Sequence, residues 1–82
     1  QDRATIGALA EGMSTMSIAY GKLALSNGVT PTLAEVAKKA SANAPESDDF
    51  SYTFAATGLV KVTGQPGTAV DGASATKTWN LP

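Results

Sequence analysis

The stretch DRATIGALAEGMSTMSIAYGKLALSNG, residues 2–28, decides the fold, because two stripes of different character run along it. Ile6, Leu9, Met13, Met16, Tyr20 and Leu23 recur at spacings of three and four, the repeat of one face of an α-helix. One position later the same spacing gives Gly7, Ala10, Ser14, Ser17, Gly21 and Ala24, a row of small residues over which another backbone can approach closely. Ile18 and Leu25 belong to neither stripe; at about 100° per residue they lie across the small stripe from the large one. The pattern predicts a helix over residues 2–26, stopped by Asn27-Gly28, a good left-handed terminator. It further predicts that the large stripe faces the chain's own core. The small stripe, flanked by Ile18 and Leu25, is expected to be left for neighbouring molecules. Glycine inside a helix costs about 1 kcal/mol relative to alanine, and Gly7, Gly12 and Gly21 all carry that cost, so packing rather than propensity must hold this helix.

With 82 residues there is room for one domain, residues 1–82, and a domain of that size buries only about 60% of its unfolded surface. Some further support is expected. Cysteine and histidine are both absent, which excludes disulfides and Cys/His metal sites and leaves oligomerisation or an additional segment. The net charge is -1 and the lysines are scattered along the chain, so nucleic acid is not an expected partner. No run approaches the roughly 18 apolar residues of a membrane span. The charged start without an initiating Met suggests a mature or trimmed product, and the wealth of Ala, Ser, Thr and Gly suits an exported protein.

Beyond Gly28, Thr30-Pro31 offers one helix start and Thr32 with Glu35 offers a capping box one step later. Either way a short helix over about residues 31–42 is predicted, with Leu33, Val36, Ala37 and Ala40 as its apolar face. Residues 43–49, with Pro45 and the acidic Glu46, Asp48 and Asp49, read as a loop. Phe50, Tyr52 and Phe54 then alternate with Ser51 and Thr53, the period of a half-buried strand. Ala56-Thr57-Gly58 turns the chain into a second strand over residues 59–63, and Gln65-Pro66-Gly67 suits a type II turn. A last strand over about residues 74–80 brings Trp79 to close the core. The predicted class is α+β, a long N-terminal helix packed on a small antiparallel sheet within residues 50–80.

Chemistry without His or Cys must come from Asp, Glu, Lys, Ser, Thr or Tyr, and the supply is thin. Glu46, Asp48 and Asp49, with Asp71, could in principle offer oxygen ligands to Ca²⁺, but their spacing matches no EF-hand loop and they read as a solvated acidic loop. Gly64, Gly67 and Gly72 lie in turns and build no phosphate cradle. Ser14 and Ser17 read as packing residues rather than nucleophiles, and Tyr20 as core. The residues therefore give an enzyme no catalytic set, no cofactor and no metal.

A helix followed by a short helix, a loop and a terminal antiparallel sheet resembles the globular part of type IV pilins and type II secretion pseudopilins. The end of the chain, Ala75-Thr76-Lys77-Thr78-Trp79-Asn80-Leu81-Pro82, also looks like the ends of some short bacterial pilin-like proteins. The family's apolar N-terminal segment with its near-terminal glutamate is missing from this sequence, as is the disulfide that clips the C-terminal region of many pilins. The resemblance implies a segment ahead of Gln1 that holds the subunit in the inner membrane before assembly. It also implies a structural role in an extracellular helical filament on the cell surface, after a periplasmic or inner-membrane precursor stage. The partners would be further copies of the chain, other pilin-like subunits and the assembly machinery, and Gly7, Ala10, Ser14, Ser17, Ile18, Gly21, Ala24 and Leu25 would pack between subunits. Two other readings stay open: a small soluble binding or adaptor domain using Tyr52 and Trp79 on its sheet, and a coat-type structural subunit.

Overall fold

A computed structural model describes residues 5–81. In chain order they form α1 (Thr5–Ser26), α2 (Leu33–Asn43), β1 (Phe50–Phe54), β2 (Leu59–Gly64) and β3 (Ser74–Thr78). The class is α+β, with a long helix, a short helix and an antiparallel meander in strand order β1-β2-β3. Residues 2–4 of the expected first helix, and Pro82, lie outside the described residues.

Both helix boundaries follow from local backbone chemistry. At the end of α1 the Val29 N–H donates to the Ala24 carbonyl at 2.9 Å and the Gly28 N–H to that of Leu25 at 3.0 Å. These two bonds form a Schellman closure, and Gly28 supplies its left-handed residue at φ 78°. At α2 the structure chooses the later start. Thr32 is the N-cap, its hydroxyl accepting the Glu35 N–H at 3.1 Å while the Glu35 carboxylate accepts the Thr32 N–H at 3.1 Å.

Phe50, Tyr52 and Phe54 of β1 lie opposite Gly64, Val62 and Val60 of β2, and Val62 and Val60 lie opposite Ala75 and Lys77 of β3. That face of the sheet meets the helices. The opposite face carries Ser51, Thr53, Lys61 and Thr76, all exposed. Gly58 ends the first hairpin turn at φ 92°, its N–H donating to the Ala55 carbonyl at 3.1 Å. The predicted turn at Gln65-Pro66-Gly67 is present, with Gly67 at φ 80° and the Thr68 N–H donating to the Gln65 carbonyl at 3.3 Å. Gly64 has a steric reason to be glycine, because a Cβ there would overlap the Val70 carbonyl.

The core lies along α1 in two clusters. Ile6 and Ala10 pack with Phe50, Val62, Val70 and Ala73 toward the N-terminal end of the helix. Farther along, Met13, Ile18 and Tyr20 pack with Val36, Leu33, Val60, Phe54 and Trp79. Trp79 closes the core as predicted.

The structure corrects which face of α1 points inward. Ile6, Ala10, Ser14, Ser17 and Gly21 are its buried residues, so most of the small stripe, rather than the large one, runs along the line of closest approach to the chain's own sheet and α2. Leu9, Met13, Met16 and Tyr20 are half-buried on one flank, Ile18 is half-buried on the other, and Leu23 is exposed. Small residues beneath the helix axis let the backbone come close, and the long side chains reach around from the sides. The Ser14 and Ser17 hydroxyls donate to the Glu11 and Met13 carbonyls at 2.9 and 3.0 Å, so neither enters the interface with an unmet hydrogen bond.

Candidate functional site

Of the eight residues expected to meet neighbouring subunits, Ala10, Ser14, Ser17 and Gly21 are covered by the chain's own fold, and that expectation is corrected for them. Ile18 is packed into the second cluster. Ala24 is half-buried, and Gly7 and Leu25 remain exposed. The surface open to another molecule is thus not the small stripe but the end of α1.

There the sequence places three large apolar side chains that the fold does not cover: Leu23 at 51% exposure, Leu25 at 44% and Val29 at 52%. Leu23 and Leu25 are two positions apart, which sets them about 200° apart around the helix. They therefore project on opposite sides, and no single flat surface can cover both. Val29 follows the Schellman glycine. From the sequence Leu25 is expected to face outward and Leu23 inward, and Val29 carries no signal of either kind. A residue at this position often packs back on the helix it follows, so its exposure is a tertiary outcome with no local signal.

Lys22 lies beside these residues and is exposed. On the adjoining surface, the Lys39 ammonium sits 5.3 Å from the centre of the Tyr20 ring, a cation–π contact that ties α2 to α1. The end of α1 is an apolar tip with a basic margin.

At the opposite end of the molecule lie the loops before β1 and after β2. The Ser47 hydroxyl accepts the Asp49 and Phe50 N–H groups, each at 3.1 Å, and the Gln65 N–H donates to the Asp49 carbonyl at 2.7 Å, joining the two loops. The Asp71 carboxylate accepts the Gly67 N–H at 3.0 Å. The carboxylates considered for Ca²⁺ do not converge: among the described residues no three acidic side chains form a group able to hold a metal ion. No pocket opens among the described residues.

The alternative of a binding domain would use Tyr52 and Trp79. Tyr52 is half-buried against the first cluster, and Trp79 is buried in the second. No helix among the described residues is long and apolar enough to cross a membrane. No protein family, curated protein or solved structure matches this chain.

Proposed function

We propose that this chain is a structural subunit of an extracellular helical filament of the type IV pilus or pseudopilus kind, assembling through the exposed end of α1. The observation that carries this reading is the apolar tip. Leu23, Leu25 and Val29 are exposed on more than one side of a helix whose other face is already packed on the chain's own sheet. A single partner on a flat face covers one side of a helix. A subunit surrounded by neighbours in a helical lattice needs more than one, and such non-closing contacts generate filaments. The elongated body, 44 × 18 × 17 Å, suits stacking along a filament axis. In this role the subunit passes through an inner-membrane stage by way of an apolar segment ahead of Gln1 and then joins copies of itself and related subunits. The binding-domain reading would rest on Tyr52, which is half-buried, and Trp79, which is buried, whereas a coat-type subunit would assemble without a membrane stage.

Two measurements test the proposal. The codons ahead of Gln1 should encode an apolar helical segment of about 20 residues; an ordinary cleaved signal peptide ending at Gln1 overturns it. In the full-length chain, Leu25→Lys should abolish filaments while shifting the unfolding free energy of the soluble domain by no more than about 0.5 kcal/mol, since the residue is exposed. Normal filaments from that variant would remove the tip from the assembly contacts.

A further inference from the structure

Among the described residues the charges are sorted by end, although the net charge of the chain is only -1. Glu46, Asp48 and Asp49 lie in the loop leading to Phe50, and Asp71 lies in the loop that packs Val70 and Ala73 on the same cluster. Glu11 follows Ala10, which belongs to that cluster. Five of the six described carboxylates therefore lie on segments that adjoin the first cluster, the one packed on the N-terminal half of α1. The sixth, Glu35, is engaged in the capping box of α2.

The lysines lie elsewhere. Lys22 follows the buried Gly21, sixteen residues beyond Ile6, which is about 24 Å along the helix. Lys39 stands over Tyr20 of the second cluster with Lys38 beside it, and Lys77 is paired with Val60 of that cluster. Lys61 is in mid-sheet, opposite Thr53 and Thr76. No described lysine lies in the two acidic loops. The body therefore has an acidic end and a basic half that terminates in the exposed Leu23, Leu25 and Val29.

We infer that the acidic end of one copy docks on the basic, apolar-tipped end of the next, so that subunits join head to tail. This rests on the filament reading and names the contact that reading leaves open. The tip is occupied by other copies of this chain, because each copy carries the complementary charge at its opposite end; the head-to-tail neighbour covers one side and further copies in the lattice cover the other. Exposed Pro45, Pro66 and Ala69 in and beside the acidic loops give the tip an uncharged surface to meet. Two copies side by side in the same direction place like charges next to each other, so the sorting also disfavours blunt lateral pairing in register. Complementary ends fix direction and register, while the apolar tip supplies the buried area.

The test uses filaments of the full-length chain. Lys22→Glu with Lys38→Glu, and separately Glu46→Lys with Asp48→Lys, should each lower assembled subunit at least tenfold; all four positions are exposed, so the domain should keep its fold by circular dichroism. All four substitutions together restore opposite ends with the sign exchanged and should recover assembly to within about threefold of the original. In original filaments, a zero-length carbodiimide cross-link should join Lys22 of one subunit to Glu46 or Asp48 of another, and should be absent from the monomer. A chain that makes no filaments at all overturns the filament reading itself. Filaments that tolerate each reversal, or a fourfold variant no better than the separate pairs, overturn the head-to-tail contact and leave the filament reading standing.

Discussion

Ser17 and Gly12 sit about 1.4 turns apart on the same helix and predict opposite outcomes. Ser17 is fully buried where α1 comes closest to its partners, with its hydroxyl bonded to the Met13 carbonyl. Enlarging it pushes side chains and backbone apart, so Ser17→Leu should destabilise the domain by about 1–3 kcal/mol in urea unfolding. On an outward-facing small stripe the same substitution would leave folding untouched, so a monomer of unchanged stability would contradict the packing described above. At Gly12 a Cβ meets nothing within 4 Å, and the backbone is ordinary helix. Gly12→Ala should therefore stabilise the domain by about 0.5–1 kcal/mol, measured the same way. The three helix glycines thus divide by cause: Gly21 is buried, while Gly7 and Gly12 have open space around them.

Among the elements, the shortest helix depends most on its ends. An 11-residue helix is marginal alone, and α2 is held by the buried Val36, Ala37 and Ala40 together with its capping box. Thr32→Ala removes the acceptor for the Glu35 N–H and should cost about 1 kcal/mol, read as a lower unfolding midpoint with unchanged denaturant dependence. Such boundaries were legible because they are set by nearby residues. Asn27-Gly28, Thr32 with Glu35, and Pro66-Gly67 each state a backbone requirement within four positions, and all three appear in the structure. The rotation of α1 was not legible. Periodicity locates the stripes, yet two adjacent stripes at the same spacing leave open which one lies under the axis. That choice depends on how closely the sheet approaches, and the full burial of Val60, Val62 and Ser17 fits a close approach with small residues at the centre. Nor does linear order reveal that Glu11, the loop over residues 46–49 and Asp71 share one end, since only the meander brings them together.

At the scale of the whole molecule, one residue near the end of the chain joins elements that are far apart in sequence. Trp79 follows β3, packs in one cluster with Val36 of α2 and Val60 of β2, and donates its backbone N–H to the Gly58 carbonyl at 3.0 Å. It thereby links the last strand, the first hairpin and the short helix against α1. Replacing a buried tryptophan by alanine costs about 3–5 kcal/mol. A domain of this size has on the order of 4–12 kcal/mol in total at roughly 0.05–0.15 kcal/mol per residue. Trp79→Ala should consequently leave the domain near the edge of stability, with a thermal midpoint lowered by at least about 10 °C in circular dichroism. The unsubstituted domain offers a sharper check, because Trp79 is the only tryptophan in residues 1–82. Its fluorescence reports the tertiary joint, whereas far-ultraviolet dichroism reports mainly the 22 residues of α1 and the 11 of α2. If the two clusters form one cooperative unit along α1, both signals change at the same urea concentration. Fluorescence falling first, with helix signal retained, would mean that α1 stands without its sheet. The tip at Leu23, Leu25 and Val29 would then belong to a separable helix rather than to a rigid subunit.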